Sequence, residues 1–75
     1  MEWKNGMVVR SLCGRDKDRL LCVLGEEKNR VLVCDGKERP MNRPKRKNPK
    51  HLAPTKKSLT AEQMRSNRAI KQALK

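Results

Sequence analysis

Gly6-Met7-Val8-Val9-Arg10-Ser11-Leu12-Cys13-Gly14-Arg15-Asp16-Lys17, with the apolar run Leu20-Leu21-Cys22-Val23-Leu24 just beyond it, reads as strand, glycine-centred basic loop, strand. Val and Leu suit an extended, pleated backbone, whereas Gly14 offers backbone angles closed to other residues, so the chain can reverse there and another surface can approach it closely. Arg15 and Lys17 then project from the rim of the loop, the first able to grip a phosphate with two parallel N–H donors and the second acting as a point charge. Asp16 orients Arg15 or caps the turn.

Working outward, the first two strands cover Met7–Cys13 and Arg19–Leu24. A third, Arg30–Cys34, follows the turn-like Gly25-Glu26-Glu27-Lys28-Asn29. Asp35-Gly36 is a hairpin signal, with Lys37–Met41 as a short return strand that Pro40 confines to a sheet edge. Short strands at this spacing predict a mainly β domain, a small, strongly bent antiparallel sheet that curls into a barrel. An SH3-like barrel is the simplest closure, with a last strand near 50–53, around His51-Leu52. The chain has 75 residues, no Phe, no Tyr and one Trp, so its single thin core must be built from Val, Leu, Met and Cys.

The spacing of the first strand, the Gly14-Arg15-Asp16-Lys17 quartet and the second strand resembles the KOW motif of several ribosomal proteins and NusG-type transcription factors. Val31-Leu32-Val33-Cys34-Asp35-Gly36 and His51-Leu52 are also similar to the KOW-containing eukaryotic-type large-subunit ribosomal proteins and their small bacterial relatives. The resemblance implies that Val9, Leu21 and Val23 point inward, joined by Val31 and Val33, while Val8, Leu12 and Leu24 need cover from the C-terminal helix and Trp3. It also implies binding to ribosomal RNA of the large subunit. Where relatives place a second glycine after the lysine, this chain has Asp18, which tolerates a left-handed backbone but adds a negative charge to the rim.

Charge divides the chain. Residues 1–36 carry seven Lys/Arg and six Asp/Glu, residues 37–57 nine and one, and residues 58–75 four and one, which sum to a formal net charge of +12. A balance of this sign and size calls for a polyanion. The organisation expected is a barrel core over 1–41, a basic, proline-containing arm over 42–57 and a helical segment over 58–75. Pro44, Pro49 and Pro54 forbid a continuous helix in the arm and remove ladder donors, so most of it is expected as extended loop. Thr60 and Gln63 can form a capping box, and Ser66 can cap a helix over Asn67–Lys75 that sets Ile70, Ala73 and Leu74 on one face.

The residues expected to meet RNA phosphate are Arg15, Lys17, Arg43, Lys45, Arg46, Lys47 and Lys50, because each neutralised phosphate releases condensed counterions. His51 either donates a hydrogen bond to RNA or closes the barrel. Gly14 and Asp16 set the loop geometry. Single-strand binders rely on aromatic platforms, and one aromatic residue suits structured RNA better. Trp3 stacks on a base or seals the open end of the barrel, the sealing role being favoured.

Other functions fare worse. One His, no Ser beside a credible base, and acidic residues without metal-loop spacing argue against an enzyme, a cofactor or a bound metal. Cys13, Cys22 and Cys34 lie in or beside apolar runs at spacings that match no zinc pattern, and read as small core thiols. The longest apolar stretch, Leu20 to Leu24, is too short to span a bilayer, so a cytoplasmic protein is expected, with no membrane or small-molecule partner, and the resemblance implies that it is ribosome-associated. The alternative is a KOW-type interaction module of the transcription or translation machinery, with ribosomal or other proteins as partners.

Overall fold

The computed structural model of the chain describes residues 2–75. Five strands, β1 (Met7–Ser11), β2 (Leu20–Glu27), β3 (Arg30–Cys34), β4 (Lys45–Lys47) and β5 (Leu52–Ser58), precede one helix, α1 (Asn67–Ala73). They form a single antiparallel sheet in the order β4-β3-β2-β1-β5, with a 3-10 turn, Pro49–His51, joining its two edge strands. The mainly β, antiparallel expectation holds, together with the short C-terminal helix. No backbone ladder joins β4 to β5 among the described residues, so the sheet stays open.

Sequence and structure part company first at Gly25. Val23 pairs with Val33 but Gly25 with Leu32, a bulge that gives β2 one extra residue and bends it, so the strand continues through Glu26 and Glu27 instead of turning there. The reversal is the two-residue turn Lys28-Asn29, both at positive φ (45° and 64°), as a tight hairpin requires. The return strand expected over Lys37–Met41 does not form. Asp35 Oδ1 accepts the backbone N–H groups of Lys37 and Arg39 at 2.8 and 2.9 Å, which curls this piece into a longer turn. The return strand is Lys45–Lys47, placed by the pairs Val31–Lys47 and Val33–Lys45.

Nor is the segment 42–57 mainly a loop. It supplies both sheet edges, because each proline sits where no ladder donor is needed. Pro44 precedes β4, Pro49 opens the 3-10 turn, and Pro54 lies in edge strand β5 opposite Val9. Leu52, the first residue of β5, enters the core, while His51 stays exposed.

The sheet buries both faces. On one, Val9, Leu21, Val23, Val31, Val33 and Leu52 pack together, with Trp3 and Met7 against them, so the five inward residues implied by the resemblance do share one cluster. On the other, Cys22, Cys34, Met64 and Ile70 form a second cluster, flanked by Leu24, Met41, Leu59 and Leu74. Ile70 is carried by α1, whose Ser66 cap accepts the Ala69 N–H at 3.1 Å. Thr60 and Gln63 make the reciprocal capping-box bonds, on a turn and not a regular helix. So Leu24 gains its cover from the C-terminal segment and Val8 is buried, whereas Leu12 keeps 41% of its surface exposed.

Cys22 and Cys34 pair across β2 and β3 as buried free thiols. The hydrogen bond to Cys22, and then burial, push the Cys34 thiol well above its ordinary range, which keeps it protonated and unreactive. Cys13 lies half-buried in the rim loop, outside either cluster.

Candidate nucleic-acid interface

The loop from Leu12 to Arg19 closes on Ser11, whose N–H donates to the Arg19 carbonyl at 3.0 Å and whose carbonyl accepts the Asp18 N–H at 2.8 Å. Gly14 holds φ at 91° and Asp18 at 69°, so the loop needs a left-handed backbone at two positions, one of them taken by an aspartate.

Under this loop sits a buried polar knot. Lys47 reaches from β4, with only 5% of its side chain exposed, and its ammonium donates to Ser11 Oγ at 2.6 Å, Asp16 Oδ1 at 2.8 Å and the Cys13 carbonyl at 2.9 Å. Three N–H donors meet three acceptors, so the group is saturated. Lys47 is therefore not one of the phosphate contacts expected from the basic run. It ties β4 to the rim loop. The Ser11 hydroxyl lies 2.7 Å from Asp16 Oδ1 and 2.9 Å from the Cys13 carbonyl, with one proton to give to either. Burial alone would raise the Asp16 carboxyl. Hydrogen bonds from Lys47 and Ser11, with the charges of Lys47 and Lys45, outweigh burial and hold it below the usual carboxylate range. Asp16 thus anchors the loop through Lys47 and Ser11.

With its carboxylate turned inward, the rim presents cations. Arg15, Asp16, Asp35, Glu38, Arg39 and Lys45 line a cleft of about 150 Å³ between the rim loop and the β3–β4 turn. Each of its three acids is engaged: Asp16 with Lys47 and, at 3.8 Å, Lys45; Asp35 with two backbone N–H groups; Glu38 with Arg19 at 3.4 Å. No ion pair among the described residues takes Arg15, Lys17, Arg39, Arg43 or Lys50. Arg46, exposed on β4, pairs with Glu27 at 2.7 Å across the surface, a contact open to salt and to competing phosphate.

The sequence-expected residues are thus brought together unevenly. Arg15 and Lys45 share the cleft. Lys17, Arg43 and Arg46 are exposed outside it. Lys50 lies beyond the far end of β4, its N–H capped by Asn48 Oδ1 at 3.0 Å. His51 is exposed at the end of the 3-10 turn, where its carbonyl accepts the Leu12 N–H at 2.9 Å. Arg39 was absent from the expected set, because a strand over Lys37–Met41 gave no reason to aim it at the rim loop; the carboxylate of Asp35, in the signature of an Asx turn, was the available cue.

No protein-family model matches the chain, and no curated protein matches it. Among the described residues no group of His, Cys, Asp and Glu could hold a metal ion, and no helix is long and apolar enough to cross a membrane.

Proposed function

We propose that this protein binds structured RNA without catalysis, in a KOW-type SH3-like fold, as a component or companion of the large ribosomal subunit. The observation that carries the reading is the cleft in which every acidic side chain is already engaged, leaving the Arg15 and Arg39 guanidinium groups uncompensated in a chain of net charge +12. Two guanidinium forks beside an ammonium suit a phosphate oxygen better than any neutral ligand. The sugar-phosphate path and minor-groove face of an A-form helix offer such groups without requiring base stacking.

The strand order supports the SH3-like part. Four strands run as consecutive antiparallel neighbours and the fifth returns beside the first through a single 3-10 turn, the connectivity that a small bent barrel needs. The bulges in β2 and at the β1–β5 pairing supply the bend. The KOW part rests on the Gly14–Lys17 loop and its place between β1 and β2.

The test is sedimentation of a cell lysate in which the protein is followed through ribosomal fractions at stepped salt. Co-migration with the large subunit, lost steeply as salt rises, is expected. An R15E/R39E variant should fold as the parent does and leave those fractions at lower salt. Salt-insensitive association with a protein partner would overturn the reading.

A further inference from the structure

A second concave site lies at the other end of β4. Trp3, Glu26, Asn29, Arg30, Val31, Pro49 and Lys50 line a groove of about 360 Å³, at the lower end of the size range of small-ligand sites. Trp3 packs one side against the aliphatic cluster and is only half-buried, so the one indole of a chain without Phe or Tyr also forms a wall of the groove. Glu26 tethers the backbone beneath that wall, its Oε1 accepting the Trp3 backbone N–H at 2.9 Å. Arg30 and Lys50 are exposed on its border, and Asn29 adds an amide able both to donate and to accept.

We infer that this groove is a nucleobase site, which takes one unpaired base of a bound RNA against Trp3 while Arg30 and Lys50 hold the phosphates on either side of it. The inference rests on the RNA-binding reading above and adds a subsite to it. Three observations favour a base over a peptide. The groove has room for a single flat group, whereas peptide grooves of small barrels present several aromatic side chains and this chain has one. Its charged border is mainly cationic, with Glu26 already engaged by the Trp3 backbone. And it lies on the path of the phosphate cleft, since the pair Val33–Lys45 marks the cleft end of β4 and Val31–Lys47 the groove end. An RNA strand lying along β4 passes from one to the other. A base lifted from the helix at a bulge loses its neighbours in the stack, and the Trp3 face replaces them.

The experiment compares two RNA hairpins of one stem, fully paired or carrying a single bulged adenosine. Because Trp3 is the only tryptophan, its emission reports the groove directly. The bulged hairpin is expected to bind about tenfold more tightly and to quench Trp3. Arg30→Glu, an exposed change that leaves the core intact, should weaken both hairpins through the lost charge and the bulged one severalfold more, so that the advantage shrinks. Trp3→Phe, which keeps an aromatic ring in the wall, should retain part of the advantage, and Trp3→Ala should abolish it. Equal affinity for the two hairpins, with Trp3 emission unchanged, overturns the nucleobase site and leaves the RNA-binding reading standing. Failure of both hairpins to bind overturns the two together. Quenching by a proline-rich decapeptide, with none by the bulged hairpin, overturns it in favour of a peptide groove.

Discussion

At the scale of single residues, Lys47 separates two meanings of a basic run. Its neighbours Lys45 and Arg46 face solvent to some degree, whereas Lys47 alternates inward on an edge strand and meets an acid, a hydroxyl and a carbonyl. Removing one partner of a buried pair leaves the other uncompensated, so Lys47→Met should cost about 3 kcal/mol, read as a lowered urea midpoint. A K47M/D16N double variant should recover part of that loss, since the two residues couple directly. The same knot sets the acid limit. Asp16 titrates below its unfolded value, so its contribution is complete above roughly pH 4 and is lost as pH falls through the depressed folded value. Asp16→Asn should flatten stability between pH 5 and 2 (about that window) relative to the parent, as followed by circular dichroism. None of this was legible in the sequence. A lysine among lysines carries no local mark of burial, and its partner Ser11 lies 36 positions away.

At the scale of elements, what could be read was what depends on neighbours in the chain. The Val/Leu runs of β1 to β3, the Ser66 cap, the Thr60–Gln63 box and the Gly14 loop are decided by local side chains, and each is present. What failed was decided across the sheet. The prolines of 42–57 looked like the grammar of a loop, yet edge strands tolerate them, and only the assembled sheet shows which strands are edges. The same holds at Gly36, read as half of a two-residue hairpin. Its φ is 77°, and a Cβ there would collide with the Asn67 carbonyl at the start of α1, so the glycine is also the contact on which the helix docks. Asn67 Oδ1 accepts the Met41 N–H at 2.7 Å in the same junction. Gly36→Ala should therefore destabilise by at least about 1–2 kcal/mol from the backbone angle alone, and loosen α1. Faster hydrogen exchange at Ile70 and Leu74 amides, ahead of those in β2, is the expected signature.

At the scale of the whole molecule, the charge asymmetry found in the sequence persists, but folding redistributes its use. Of the basic residues in 42–57, Lys47 is spent inside, Lys45 and Arg46 are partly paired, and Arg43, Lys50, Lys56 and Lys57 remain exposed. If RNA binding is driven by phosphate neutralisation, each charge lost from the interface should lower the salt slope of log affinity by about 1. Comparing Arg15→Gln and Arg43→Gln with the parent across a salt series measures this, and Lys56→Gln on the opposite edge reports how far the interface extends. The ladder between β1 and β5 has one more consequence, for the order in which the chain acquires its structure. Ser11 pairs with Leu52 and Met7 with Ser58, so β1 has nothing on one flank until residues 52–58 have been made. Closing so long a loop is entropically slow, and the buried ammonium that pins the rim comes earlier, from β4, 36 positions after Ser11. A nascent chain stalled before residue 52 would hold a four-stranded meander, β4-β3-β2-β1, with the rim loop already pinned by Lys47 and the outer flank of β1 open until residues 52–58 follow.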